Sequence, residues 1–334
     1  MTAAKRACFR KEPVRAVGLC ALLSLTDGCG GKLDAGWDKP RGQLPVDDRN
    51  PIILCNDGFS DNWAGEYAML LAGTGGLSLA GIVINDGWPW TDLNANMTGW
   101  QQMVTAARDS GLRGIPDPTA STGPSLVRPS DENIDSTVPN RSAGASFIIE
   151  TSLRVSQPYR PLVIVTGGRL TDVADAYLMD HTLPERVVVV SSLGATTSDG
   201  AEMGVPNGEL DTWACIIVAR SFRYIQVSTY YDDTADVPPS LVTQLPTNPF
   251  TSWIVSKQPN IENSFDQVSV QAVAIPSVVS NVTRVVQNGV NSDNMPVLSS
   301  DPNGPAWLVT QTSSAKATAR FWEMLLDRST FLAQ

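Results

Sequence analysis

Apolar positions along this chain follow two alternating patterns. Short continuous runs rich in Val, Ile and Leu, bounded by turn-forming residues, occur at Pro51–Cys55, Leu79–Ile84, Leu162–Val165, Val187–Ser191 and Tyr224–Val227. Runs of this length and β-branched content predict strands buried on both faces. Between them, Trp63–Leu71, Leu93–Ser110, Ala143–Val155, Thr171–Leu178 and Asp211–Phe222 carry apolar residues at helical spacing. Thr312–Phe331 reads as a closing amphipathic helix with Phe321, Trp322, Leu325 and Leu326 on its inner side. Strand–helix alternation with uniformly apolar strands predicts an α/β fold, a single domain built on a mostly parallel β-sheet flanked by helices. Residues 113–142 are Pro/Ser/Asp-rich and read as a long loop. Residues 228–300 are rich in Pro, Ser and Asn and take no clear assignment.

The pattern is different before residue 51. Lys5, Arg6, Arg10, Lys11 and Arg15 form a basic leader, and Ala16–Leu25 is an apolar stretch too short to span a bilayer as a helix. Thr26-Asp27-Gly28-Cys29 follows, and a small residue before Cys resembles a bacterial lipoprotein cleavage box, which Asp27 fits poorly. The expected organisation is an export signal over 1–29, a polar linker over 30–50 and the folded domain over 51–334. The expected location is therefore periplasmic, secreted or lipid-anchored at Cys29 in a bacterium. Asn-x-Ser/Thr acceptors at Asn96, Asn140 and Asn281 would matter only in a eukaryotic secretory path.

Length, at 334 residues, allows a full core, and a net charge of -10 without a basic block beyond the leader argues against a nucleic-acid partner. Cys55 and Cys215 lie in apolar elements and read as small buried hydrophobes. His181 is the only histidine, and no Cys/His spacing suits zinc.

Candidate chemistry begins at Pro51-Ile52-Ile53-Leu54-Cys55-Asn56-Asp57-Gly58-Phe59-Ser60-Asp61-Asn62, where an apolar strand ends in two carboxylates and two amides. Oxygens gathered at the C-terminal end of such a strand can hold a hard cation, and a carboxylate there can deprotonate a water. The alternative is a turn at Asn56-Asp57-Gly58 followed by a helix cap at Ser60 or Asp61.

Several separated segments resemble one family in collinear order. Cys55 to Asn62 is similar to the D-x-D-P-G-x-D-D pattern of the inosine-uridine-preferring nucleoside hydrolases. Thr166-Gly167-Gly168-Arg169-Leu170-Thr171 resembles the family's T-G-P-L-T with one residue inserted. Leu183-Pro184-Glu185-Arg186-Val187 resembles L-A-E-R-V, Asn207 and Asp211 keep the Asn and Asp of F-N-I-Y-V-D, and Asp301-Pro302 aligns on H-D-P-L-A-V-A-Y-L. The resemblance implies a nucleoside hydrolase-like domain with a Rossmann-like core. It also implies calcium-assisted hydrolysis of the N-glycosidic bond of a ribonucleoside or similar N-riboside, with Asp57 as general base. Asp57, Asp61, Asn62, the Thr166 carbonyl and Asp301 would hold calcium (Ca2+). Asn207 would bind a ribose hydroxyl. Trp88 and Trp90, just after the second strand, are themselves candidates to stack on the base, the alternative being core or loop packing. The partner is thus a small-molecule nucleoside or riboside, with a lipid anchor and a homo-oligomer left open.

The chain departs from that family at informative places. Cys55 stands for the first Asp, Asn62 for the last Asp of the motif, Val205 for a ribose-binding Glu, Trp88 for a sugar-binding Asn and Ser300 for a His that protonates the leaving base. Asn62 offers one neutral oxygen where Asp offers charge, which weakens a calcium site. These substitutions favour a second reading, a catalytically degenerate relative that binds a nucleoside or sugar in the same cleft.

Overall fold

The computed structural model describes residues 39–59, 63–87, 89–192, 194–198, 206–227, 239–257 and 265–332. The chain divides into a unit over Met1–Lys39 and a second over Pro40–Gln334, and everything that follows concerns the second. Its strands are β1 (Pro51–Asn56), β2 (Ser78–Ile84), β3 (Pro118–Ala120), β4 (Leu162–Thr166), β5 (Val187–Ser191), β6 (Thr196–Thr197), β7 (Arg223–Val227), β8 (Val279–Val290), β9 (Pro296–Ser300) and β10 (Ala306–Thr312). Its helices are α1 (Ala64–Gly73), α2 (Leu93–Asp109), α3 (Ala143–Val155), α4 (Thr171–Met179), α5 (Pro206–Glu209), α6 (Thr212–Ser221), α7 (Pro239–Val242), α8 (Pro249–Lys257), α9 (Phe265–Ala274) and α10 (Ser314–Leu326). Among the described residues no helix is long and apolar enough to cross a membrane.

The described strands form one sheet in the order β3-β2-β1-β4-β5-β7-β10-β8-β9-β6, parallel from β3 through β10. The expected α/β architecture is therefore present. The central strands are buried on both faces because their side chains serve two cores. Ile52 and Leu54 of β1 pack into one apolar cluster, Ile53 and Cys55 into the other. Helices α1, α2, α9 and α10 contribute to the first cluster, and α4 and α6 to the second. Helix starts follow the sequence chemistry. Asp92 caps α2 by accepting from Asn94 N and Ala95 N, and Ser142 and Asp211 cap α3 and α6.

Several boundaries differ from the sequence expectation. The stretch read as linker up to residue 50 contains buried Leu44 and Val46, and Asn50 donates its Nδ2–H to the Pro161 carbonyl at 2.8 Å. The closing helix begins at Ser314, because Thr312 still belongs to β10. The unassigned stretch 228–300 holds α7, α8, α9, β8 and β9. Strand β8 is long enough to pair antiparallel with β10 over its first half and with β9 over its second. The chain passes from β9 to β10 across β8 at Gly304, where a Cβ would stand 2.1 Å from the Val285 carbonyl oxygen. That contact admits only glycine.

Strand order reverses beside β1. After β1 the chain builds outward through β2 and β3, then returns to place β4 on β1's other side. The C-terminal ends of β1 and β4 therefore diverge into separate loops, the crevice in which open α/β sheets bind ligands.

Candidate active site

Register puts Cys55 and Thr166 side by side at the ends of β1 and β4, and Gly167 N–H donates to the Cys55 carbonyl at 3.0 Å. Asp57 and the Gly167-Gly168 turn thus emerge together at the switch point. Asp57 is fully buried, its N–H donates to Asn56 Oδ1 at 2.7 Å, and its Oδ1 accepts the Gly58 N–H at 2.6 Å. Trp100 of α2 donates its indole N–H to the Asp57 carbonyl at 3.0 Å.

Two glycines let aromatic rings close on this turn. A Cβ on Gly58 would lie 2.4 Å from three atoms of the Trp90 indole, and one on Gly99 of α2 would lie 2.0 Å from the Phe59 ring. The Phe59 ring centroid is 5.8 Å from that of Trp90 and 6.0 Å from that of Trp253 on α8. All three rings are half-buried. They form an aromatic wall beside Asp57 with part of its surface still open.

The Gly167-Gly168 turn is pressed from both sides. A Cβ on Gly167 would stand 2.3 Å from Asp266 Oδ2, and a Cβ on Gly168 would stand 2.5 Å from Asn85 Oδ1 and 3.3 Å from Asp57 N. Asp266 lies in the first turn of α9, where the helix dipole favours a carboxylate. It is buried and accepts from Ser192 Oγ at 3.3 Å. Asn85 follows β2 and repeats the Asn-Asp-Gly of β1, as Asn85-Asp86-Gly87 beside Asn56-Asp57-Gly58. Its Nδ2 donates to the Arg169 carbonyl at 3.2 Å and to Asp172 Oδ2 at 3.4 Å, while its buried Oδ1 has no hydrogen-bond partner among the described residues.

Other buried acids here serve the scaffold. Asp172 of α4 accepts from Ser121, Ser142 and Asn85, ties the 121–142 loop to the sheet edge, and is raised in pKa by burial against the pull of those donors. Asp211 caps α6 and also accepts from Leu126 N at 2.9 Å and Thr171 Oγ1 at 2.7 Å. Asn96 donates to the Asn85 and Trp90 carbonyls and is buried, so it is pinned inside the fold and not presented to a glycan.

The structure places Asp57 and Thr166 at the adjacent ends of β1 and β4. Asn207 lies in the short helix α5, four residues before the Asp211 cap. Asp61, Asn62 and Trp88 lie outside the described residues. Asp301 stands apart from Asp57 and Thr166. It follows β9, its N–H donates to the Arg284 carbonyl at 3.0 Å, and it occupies a turn closed by Gly304 N–H. That position is at the end of β9, beyond β8 and six strand spacings from β1, or about 29 Å across the sheet. The carboxylate that the fold delivers to the site is Asp266, and its signal in the sequence is an acid opening a helix, Phe265-Asp266-Gln267-Val268. His181 sits half-exposed at the end of α4, 3.9 Å from Asp135, away from this crevice.

Among the described residues, no group of three or more His, Cys, Asp or Glu stands together as a metal would need. What they contribute to the site is two carboxylates, Asp57 and Asp266, with the Thr166 main chain and the unpartnered Asn85 Oδ1. These are hard oxygen donors, the type that calcium accepts. Cys55 is unsuited to the role of the acid it replaces. Its side chain lies in the apolar core, and burial pushes its thiol pKa well up, with Asp172 adding to the effect.

No family model and no curated protein matches this chain. Solved structures do. A purine-preferring ribonucleoside hydrolase from Gardnerella vaginalis superposes with a TM-score of 0.60 at 17% identity, covering 84% of this chain and 99% of the other. The inosine-uridine preferring nucleoside hydrolase from Bacillus anthracis gives 0.57 at 13% identity, covering 85% and 100%. A nucleoside hydrolase-related protein from Saccharophagus degradans, associated with carbohydrate metabolism, gives 0.56 at 15% identity, covering 86% and 73%. The chain has the nucleoside hydrolase fold.

Proposed function

We propose that this protein is an N-glycosyl hydrolase that cleaves a ribonucleoside or similar N-riboside, with Asp57 as general base. The observation that carries the reading is the convergence of Asp57 and Asp266 on the Gly167-Gly168 turn at the sheet's switch point, beside an aromatic wall. Asp57 takes a proton from water as the water oxygen bonds to the sugar's anomeric carbon. The bond from that carbon to the base nitrogen breaks, and the departing nitrogen takes a proton from solvent. Positive charge on the sugar rises in the transition state, as in glycoside cleavage generally, and buried carboxylates offset it. Asn207 binds a ribose hydroxyl. The rings of Phe59, Trp90 and Trp253 receive the leaving base and limit water access to Asp57, and a stacking role for Trp88, which lies outside the described residues, belongs to the same proposal.

Calcium belongs to this proposal. Asp57, Asp266 and the Thr166 carbonyl would hold it, with Asp61 and Asn62 adding donors, and it would supply a water of lowered pKa when bound. Export through the 1–29 leader, with or without a lipid on Cys29, is likewise proposed, and mass spectrometry of the mature N-terminus tests it.

The deciding experiment is hydrolysis of a chromogenic riboside and of a panel of ribonucleosides by the full chain, with calcium titrated by calorimetry. Asp57→Asn should abolish turnover and leave the melting transition in place. Unchanged turnover in Asp57→Asn would remove Asp57 as base. The substitution of Cys55 for an acid favours a second reading, a binder without turnover. Saturable riboside binding with no product formed would establish that one.

A further inference from the structure

Glu66 lies in the first turn of α1, just beyond the loop that carries Asp57, and is 1% exposed. Its Oε1 accepts the indole N–H of Trp253 at 3.3 Å. Lys257, one turn further along α8, holds its Nζ 4.6 Å from the Trp253 ring centroid and 4.9 Å from that of Phe59. Phe59 touches Trp90, and Trp90 lies on Gly58, the residue after Asp57. A continuous set of contacts therefore runs from a carboxyl inside α1, through α8, to the turn of the candidate base. Around this end of α1 the packing is apolar, with Trp100 and Met103 of α2 against Gly65. Burial pushes the Glu66 carboxyl up to about 7, offset by its own backbone N–H, by the Trp253 hydrogen bond and by Lys257. A carboxyl in such surroundings works against the fold, while its Oε1 accepts from a ring of the aromatic wall.

We propose that Glu66 is a positioning residue for this site: by accepting the Trp253 indole N–H it fixes the orientation of the aromatic wall on which the substrate's base rests. The inference depends on the hydrolase reading for its substrate and assigns α8 a specific task in it. Lys257 ties Trp253 and Phe59 together through its contacts with both rings. Glu66 itself stays behind Trp253.

The test compares wild type, Glu66→Gln and Glu66→Leu in the full chain. Gln keeps an acceptor oxygen and the side-chain length, whereas Leu keeps only the bulk. The expected result is a KM for a purine ribonucleoside raised fivefold or more in Glu66→Leu with kcat within about threefold, and Glu66→Gln within twofold of wild type on both. In a Trp253→Phe background, Glu66→Leu should have no further effect on KM, since the carboxyl then has no indole N–H to hold. Unchanged KM in Glu66→Leu, or an undiminished effect in the Trp253→Phe background, would overturn the proposal. If wild type hydrolyses no riboside, the hydrolase reading fails separately. The same variants are then compared by quenching of tryptophan fluorescence on titration with free adenine. A weakened quench in Glu66→Leu alone supports the positioning role, and identical curves or no quench overturn it.

Discussion

The indole N–H of Trp100 donates to the main-chain carbonyl of Asp57 at 3.0 Å, so α2 sets the position of the turn that carries the candidate base. Both residues are buried. Trp100→Phe would keep most of the ring volume and leave that carbonyl without its donor, at a cost of about 1–3 kcal/mol. The melting temperature should fall accordingly, by several degrees in a domain of this size. Turnover should drop by at least tenfold with a smaller change in KM, because the displaced group acts on water and not on the bound sugar. Differential scanning calorimetry and steady-state kinetics on the same preparation check both.

Asp266 and Asp301 make opposite predictions. Asp266 is buried against Gly167 at the switch point, whereas Asp301 is in a turn beyond β8. Asp266→Asn should weaken calcium binding at least tenfold by calorimetry and remove most riboside hydrolysis. Asp301→Asn should leave both within twofold and cost at most a modest amount of stability through its turn, where Asp301 Oδ1 accepts from Asn303 N at 2.8 Å. An intact calcium isotherm in Asp266→Asn would place the ion elsewhere.

The contrast between these two residues shows what the sequence made legible. Five central strands could be read because each is apolar on both faces, as parallel strands between two helix layers must be. Thr166 and Asp57 could be located because they end such strands. Strand β8 could not be read, since Val279-Ser280-Asn281-Val282-Thr283-Arg284 leaves much of its surface partly exposed and breaks the apolar run. Helix α9 was hidden by its own composition. Gln267, Ser269 and Gln271 are buried among Val268, Val270 and Val273, so polar and apolar residues alternate with the period of a strand. With that helix unread, its opening Asp266 carried no weight. The Asp301-Pro302 pair supplied the same local letters without the same place in the sheet. Register across β10 and β8 separates the two, and register is a long-range property.

Gly167 offers a steric test of the same geometry. A Cβ there would stand 2.3 Å from Asp266 Oδ2 and 2.4 Å from its carboxyl carbon, closer than any side-chain contact allows. Gly167→Ala must therefore push Asp266 aside or move the turn. Calcium affinity and kcat should fall together, while Gly75→Ala, where a Cβ would meet nothing within 4 Å but φ is +73°, should cost stability alone. Parallel calorimetry and kinetics on the two variants separate the effects.

Glu66 gives a pH dependence whose sign is fixed by its environment. Burial raises its folded-state pKa from 4.5 to about 7, so the folded protein holds this proton more tightly than the unfolded chain does. The stability linked to that proton is fully present below pH 4.5 and is lost as pH rises through about 7, amounting to roughly 3 kcal/mol by linkage. Glu66→Gln carries no titrating proton and loses nothing over this range. Relative to wild type, its melting temperature should therefore rise progressively from pH 5 to pH 7 and level off above that. A difference that is flat with pH, or that narrows on going to pH 8, would mean that Glu66 reaches water in the folded protein. Thermal melts of both proteins at half-unit pH steps measure it directly.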